Sequence, residues 1–377
     1  MKIGLIVPGF SSHEEEWAIP ALQNIVRELA GSHRVTVFTL RYPHQRSRYR
    51  ISGAEVVPLG GAAATGFKRF PLLIRGLSAI LSEHRREAFD VLHGFWVDEP
   101  GFLAAIAGRL SGVPSVASVM GGELVNFPAQ DYGGQRSNAN RLLCRQALRL
   151  ADRITCGSRL MLPLIEMQVR ALVPRLLPLG VDVSAFLPDD NFSRKGRNKD
   201  RFQLLNVASL NPIKGHAVLI EALAIAALKN PRIRLKLVGT GPLQHELALL
   251  VQKCGLSDRV DFVGAVPHGQ MRSEYLTGEL FVQASFYESQ GMAVLEAAAC
   301  GLPAVGTAVG ILPELVGAST AVPAGDPAAL ANSILEIAGD PAQRERLART
   351  GVEAVAREFT LCRYLERLLE IYGELRP

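Results

Sequence analysis

The chain has 377 residues, more than one ordinary domain, and its 48% apolar and 20% charged residues are the balance of a folded, water-soluble protein rather than a disordered one. Lys and Arg number 41 against 36 Asp and Glu, a net charge of +5 that suits an anionic ligand or surface and is too small to argue for nucleic acid. Five scattered cysteines with no CxxC pair predict reduced thiols and a cytoplasmic chain, and no apolar run approaches the roughly 18 residues of a membrane span.

From Lys2 to about Pro178, short apolar runs alternate with amphipathic ones, the rhythm of βα units on a parallel sheet. Strands are expected at Ile3 to Val7, Val35 to Leu40, Val56 to Leu59, Val91 to Phe95, Ser115 to Val119 and Ile154 to Cys156. Ile19, Leu22, Ile25, Val26 and Leu29 recur at helical spacing, which predicts a helix from Trp17 to Ala30. The loop before it holds Ser11 and Ser12 at the carboxyl end of strand one, the edge where open α/β sheets bind ligands. With no glycine pair, a plain polar loop is the better reading. The arginine-rich run Arg41 to Arg50, with Lys68, Arg69, Arg75, Arg85 and Arg86, is either a solvated face or a basic patch meeting an anionic membrane or acceptor. His93 and Trp96 stand where the fourth of these strands gives way to a helix, suited to an acceptor although a lone His there is more often structural. Gly121 and Gly122 follow the fifth and allow close backbone approach.

Proline and glycine interrupt the pattern at Pro178 to Pro188, and Asp189 to Arg201 is polar and unpatterned, so an interdomain linker is expected there. A second alternating series follows, with strands at Phe202 to Ala208, Ile233 to Val238, Val260 to Val263, Leu280 to Ala284, Pro303 to Gly306 and Thr320 to Val322. After its first strand, SLNPIKGH places Lys214 and Gly215 on the turn that opens a helix, where an ammonium and backbone N–H groups can bind phosphate. An exposed Lys on a Gly turn carries equal weight. VGTGP, Val238 to Pro242, lacks the third glycine of a dinucleotide fingerprint. The most informative stretch is QASFYESQGMAVLEAAACG, Gln283 to Gly301. Glu288 and Glu296 lie eight positions apart, about 12 Å if both were helical, around a helix entry near Gly291. That gap exceeds the roughly 5–10 Å of a glycosidase acid pair and fits a long ligand with hydroxyls at both ends and a diphosphate at the positive helix end. Each acid alone reads as an ordinary polar residue, but the apolar neighbours of Glu296 leave it little solvent face. The chain closes in a helix from Phe359 to Leu375.

ESQGMAVLE resembles the E-x7-E motif of the retaining GT-B glycosyltransferases of glycosyltransferase family 4, and the likeness runs on through AAACGLPAVGTAVGILPELV. VASLNPIKGH is similar to that family's donor-side turn, and PLGVD to its interdomain turn. The resemblance implies an α/β GT-B fold of two Rossmann-like domains facing a cleft: residues 1–180 for the acceptor, 181–358 for the donor, and 359–377 as a helix returning to the first domain. It implies Lys214 and Glu288 as catalytic residues, with Ser209, Gly215, Val263, Gly264, Gly291, Met292, Ala293 and Glu296 around the donor. Ser11, Ser12, His93, Gly121, Gly122 and Glu123 are the acceptor-side candidates, His93 or Glu123 standing in for a histidine that the family places after the fifth strand and VMGGEL lacks. Ser209 replaces a frequent family arginine. The co-substrate implied is a UDP-, GDP- or ADP-sugar, the partners a carbohydrate or lipid acceptor with peripheral contact to an anionic membrane, and the scheme uses no metal or other cofactor. A nucleotide-sugar 2-epimerase or a non-catalytic sugar-nucleotide-binding relative of the same fold is the alternative.

Overall fold

A computed structural model describes residues 1–45, 47–61, 69–169, 173–188 and 200–375. Arg46, Lys68 and most of the expected linker, 189–199, lie outside them. The chain divides into two compact units, one formed by Met1–Pro128, Tyr132–Pro178 and Leu361–Pro377, the other by Ala129–Asp131 and Leu179–Thr360.

The first unit is built on strands β1 (Lys2–Gly9), β2 (Arg34–Tyr42), β3 (Tyr49–Ile51), β4 (Ala54–Pro58), β5 (Val91–Phe95), β6 (Ser115–Val119), β7 (Arg153–Cys156) and β8 (Arg175–Leu176), in the order β3-β4-β2-β1-β5-β6-β7-β8. All pairs are parallel except β3 with β4. Helices α1 (Pro20–Ser32), α2 (Arg69–Arg86), α3 (Glu99–Ser111), α4 (Asn138–Leu150) and α5 (Leu162–Glu166) belong to the same unit. β5 and β6 are buried along their whole length, which is why they show no alternation of apolar and exposed positions, and their polar residues His93, Ser115 and Ser118 are covered as well.

Three local expectations change. The first helix starts at Pro20 rather than Trp17, because proline suits the first helical position, where its missing N–H is no loss; Trp17 lies outside it, with the Arg27 guanidinium 5.4 Å from its ring. The arginine-rich run contains β3, which turns back onto β4 through Ser52 and Gly53, both with positive φ (52° and 79°), as a two-residue hairpin requires. β8 was not expected; two residues carry no period.

The second unit carries β9 (Phe202–Val207), β10 (Ile233–Val238), β11 (Val260–Gly264), β12 (Leu280–Gln283), β13 (Ala304–Thr307) and β14 (Ser319–Val322), all parallel, in the order β11-β10-β9-β12-β13-β14. Around them lie α6 (His216–Lys229), α7 (Gln244–Lys253), α8 (Met271–Thr277), α9 (Met292–Ala299), α10 (Pro327–Gly339) and α11 (Pro341–Glu358). The order reverses between β9 and β12. Open α/β sheets take their ligands outside the carboxyl ends of the strands at such a reversal.

The last helix, α12 (Leu361–Glu374), falls within the first unit. It starts two residues later than the periodicity suggests, because Phe359 caps α11 and Thr360 bridges to Val181. Leu368 and Tyr372 are completely buried.

Candidate active site

The loops leaving β9 and β12 bring two charges together. Lys214 Nζ donates to Glu288 Oε1 at 2.6 Å, with the lysine side chain 23% and the acid 13% exposed. Ser285 Oγ donates to the same oxygen at 2.8 Å, and Thr307 Oγ1 anchors the Ser285 carbonyl at 2.6 Å. Gly215, at φ 65°, opens α6 directly against β12: a Cβ there would fall 2.0 Å from the Ala284 carbonyl oxygen. The glycine is therefore what lets the lysine turn approach the acid loop. His216 follows, buried and bonded through Nε2 to Asn206 Oδ1 at 3.1 Å. Burial, then the Lys214 charge, hold its pKa down to about 4, so it is a neutral support for the turn. Ser209 is exposed at the mouth of the same loop and accepts from Asn211 Nδ2 at 3.0 Å.

From Glu288 the chain runs into α9. Gly291 caps it at φ 90°, a conformation side-chain-bearing residues rarely adopt, and helix geometry leaves the first amides, those of Met292 and Ala293, without intrahelical acceptors. Glu296, one and a half turns in, is not a solvent-facing residue. Its Oε2 accepts from Tyr275 Oη at 2.6 Å, and His268 Nε2 lies 3.4 Å from its Oε1. Both partners come from the segment after β11, which ends at Val263, 40% exposed, and Gly264, φ 85° and open to solvent. The loop is tied down by Gln290, buried, whose carboxamide accepts from the Leu179 amide and donates to the Leu179 carbonyl, each at 2.8 Å. Ser285, Tyr275, His268 and Gln290 carry no motif of their own; only Ser285 and Gln290 fall inside the stretch that stood out. Among the described residues no three His, Cys, Asp or Glu side chains are grouped as metal ligands.

The acceptor-side candidates of the first unit are dispersed in role. His93 is corrected: it is fully buried on β5, with Nδ1 at 2.7 Å from Tyr372 Oη and Nε2 at 2.7 Å from Ser118 Oγ, and burial lowers its pKa to about 3. No ring nitrogen is left for a ligand. Ser11 is buried and donates to Gln23 Oε1 at 2.9 Å, while the Ser12 amide and hydroxyl both donate to Glu16 Oε2. Gly121 and Gly122 form the turn after β6, pressed under Trp96 and Tyr132; a Cβ on Gly122 would stand 2.4 Å from the Tyr132 ring. Glu123 closes that turn, its carboxyl accepting from the amides of Val97, Met120 and Gly121 at 3.2, 3.1 and 2.6 Å.

Burial, then the charge of Asp98, push the Glu123 carboxyl from its ordinary 4.5 up to about 7; burial, then Glu99, push Asp98 from 3.8 up to about 6. The folded chain thus keeps protons that the unfolded chain has released. The resulting stability is full below the unfolded values and is lost as pH rises through the folded ones. The thermal midpoint is expected to fall between pH 5 and pH 8, and the slope to shrink in Asp98→Asn. Calorimetry giving the same slope in that variant would leave the pair out of the titration.

Part of the arginine-rich stretch is engaged in ion pairs. Glu99 receives Arg41 (2.8 Å) and Arg69 (2.6 Å), and Glu83 receives Arg48 (2.9 Å) and Arg86 (3.4 Å). Arg75 and Arg85 remain exposed on α2, as do Phe70 (67% exposed) and Ile74 (55%) in its first half.

Two α/β units, each with the 3-2-1-4-5-6 strand order at its centre, are the architecture of the GT-B fold, and a Lys–Glu pair stands beside a helix start at the reversal point of the second. The profile of the Glycosyl transferases group 1 matches residues 189–353, and that of the Glycosyl transferase 4-like domain matches residues 18–180. A D-inositol 3-phosphate glycosyltransferase of Frankia alni is 30% identical over 298 residues, 72% of this chain and 71% of that one. A phosphatidylinositol N-acetylglucosaminyltransferase subunit of Arabidopsis thaliana is 28% identical over 291 residues, 75% of this chain, and the match spans 62% of that longer protein. Among solved structures, the sucrose-phosphate synthase of Thermosynechococcus elongatus superposes with a TM-score of 0.82 at 25% identity, covering 99% of this chain and 98% of that one. The HepE protein of Anabaena, solved with UDP and glucose, gives 0.76 at 19% identity, covering 100% of both chains. The chain belongs to the group 1 glycosyltransferases of glycosyltransferase family 4, and the α/β GT-B fold that the E-x7-E resemblance implied is its fold.

Proposed function

We propose that this glycosyltransferase moves a sugar from a nucleoside-diphosphate sugar to a carbohydrate, lipid or small-molecule hydroxyl with retention at the anomeric carbon. The observation that carries the reading is the Lys214–Glu288 pair, 2.6 Å apart, on the two loops that flank the strand reversal, the second of which runs into α9. The bond from the anomeric carbon to the diphosphate oxygen breaks, the acceptor oxygen bonds that carbon on the same face, and the acceptor's proton leaves with the diphosphate. Negative charge grows on the departing group, where the Lys214 ammonium and the amides of Met292 and Ala293 meet it; fixed donors of this kind are the largest single contribution in many enzymes. The scheme calls on no metal ion. Glu288, released from Lys214, faces the sugar. Glu296, oriented by Tyr275 and His268, takes the ribose hydroxyls, and the base rests against Val263 and Gly264 beside Ser209 and Gly215.

Glu123 and the Gly121–Gly122 turn are the acceptor-side elements this reading retains. The exposed Phe70, Ile74, Arg75 and Arg85 of α2 are where the protein would lie on an anionic bilayer. Sedimentation with phosphatidylglycerol vesicles, but not with phosphatidylcholine alone, is the expected result, and Ile74→Glu should abolish it; equal pelleting of that variant would rule the surface out. The function itself is tested by thermal shift against UDP, GDP, ADP and TDP, since a ligand of the folded state raises its melting point. UDP is favoured by the likeness to HepE. No shift with any of the four would sink the proposal.

A further inference from the structure

Gln283 ends β12, immediately before the loop that carries Glu288. It is 5% exposed, and its Nε2 is wholly covered with no hydrogen-bond partner. Strand alternation puts it on the same face as Phe281, which packs with Val294 and Leu295 of α9. The pattern calls for an apolar residue at this position, and the chain has a carboxamide. Room for it comes from β13, where its register partner is Gly306; a Cβ there would fall 2.8 Å from Gln283 Cβ.

The carboxamide lies over the start of α9. A Cβ built on Gly291 would stand 3.2 Å from Gln283 Oε1 and 3.7 Å from Glu288 Cγ, so the amide, the acid and the first turn of the helix converge on one point. Buried donors are almost always paired in folded proteins, and those that are not call for an explanation. A diphosphate oxygen is a weak explanation, because phosphate only accepts and Lys214 with the α9 amides already supplies donors. A sugar hydroxyl both donates and accepts, as does a carboxamide, whose two ends exchange by rotation about χ3.

We propose that Gln283 reads a hydroxyl of the transferred sugar and so takes part in choosing the donor. This rests on the nucleotide-sugar reading above. The test is calorimetric titration of the full chain and of Gln283→Met, a near-isosteric variant without hydrogen bonds, using UDP, GDP and ADP, their glucose conjugates, and UDP-galactose. The expected result is a Kd about 10-fold weaker for the preferred nucleotide sugar, the order of one lost hydrogen bond to a ligand, with the parent diphosphate bound within about two-fold of wild type. The ligand-free melting temperature of Gln283→Met should stay level or rise, since removing an unsatisfied buried donor relieves its desolvation. An unchanged nucleotide-sugar Kd, an equal loss for the bare diphosphate, or a melting temperature several degrees lower would each overturn the inference. Wild-type protein that binds none of these compounds would instead remove the donor reading itself.

Discussion

Lys214→Ala is expected to lower kcat by about 10²–10³-fold, roughly the 3 kcal/mol lost when one charge-stabilising donor is removed from a transition state. The ground state argues that the loss will fall on turnover more than on folding. Glu288 keeps the Ser285 hydroxyl at 2.8 Å and is 13% exposed, so losing its lysine does not strand it in a dry interior. Donor KM should rise less than kcat falls, because the full charge of the diphosphate develops only as the sugar leaves. Lys214→Arg keeps the charge but not the compact ammonium, and should recover only part of the rate. Steady-state release of nucleoside diphosphate is the measurement. Wild-type turnover in Lys214→Ala would take the residue out of the mechanism.

Tyr372→Ala is expected to cost about 3–5 kcal/mol of stability, the range for truncating a large buried aromatic. Its ring is completely covered and its hydroxyl bonds the buried His93 Nδ1 at 2.7 Å, so the variant leaves both a cavity and an imidazole with one nitrogen unpaired. Tyr372→Phe, which keeps the volume, should cost about 1 kcal/mol for the one hydrogen bond. Urea unfolding distinguishes them. Equal midpoints for Tyr372→Ala and wild type would mean that α12 contributes little to the first unit.

What could be read from the chain beforehand follows from sequence distance. β10 was legible because Ile233, Leu235 and Leu237 alternate with Arg234 and Lys236, β5 and β6 because a short stretch between turn signals is enough to mark a strand, and the turns at Lys214 and Gly291 because turn chemistry is local. Glu296 could be suspected of a partner from its apolar neighbours, but not which one: Tyr275 is 21 positions earlier on a helix with no distinguishing pattern. Gln290 grips Leu179 from 111 positions away, and nothing in either segment announces it. The arginine-rich run left two readings open for the same reason: Arg41 lies 58 positions from its partner Glu99 and Arg48 lies 35 from Glu83, so neither ion pair shows in the local pattern. His93 shows the opposite failure: read as standing where a strand ends, it is the middle residue of β5, and both its hydrogen-bond partners lie inside the protein.

Helix α12 belongs to the first unit although the whole of the second precedes it in the chain. During synthesis, which adds about 5–20 residues each second from the N-terminus, the N-terminal sheet therefore emerges with His93 waiting for a tyrosine encoded 279 positions later. The lobe translated first is the one finished last, so nascent chains stalled with Leu179–Thr360 outside the ribosome and the residues of α12 still inside it should show protease resistance in Leu179–Thr360 sooner than in Met1–Pro128.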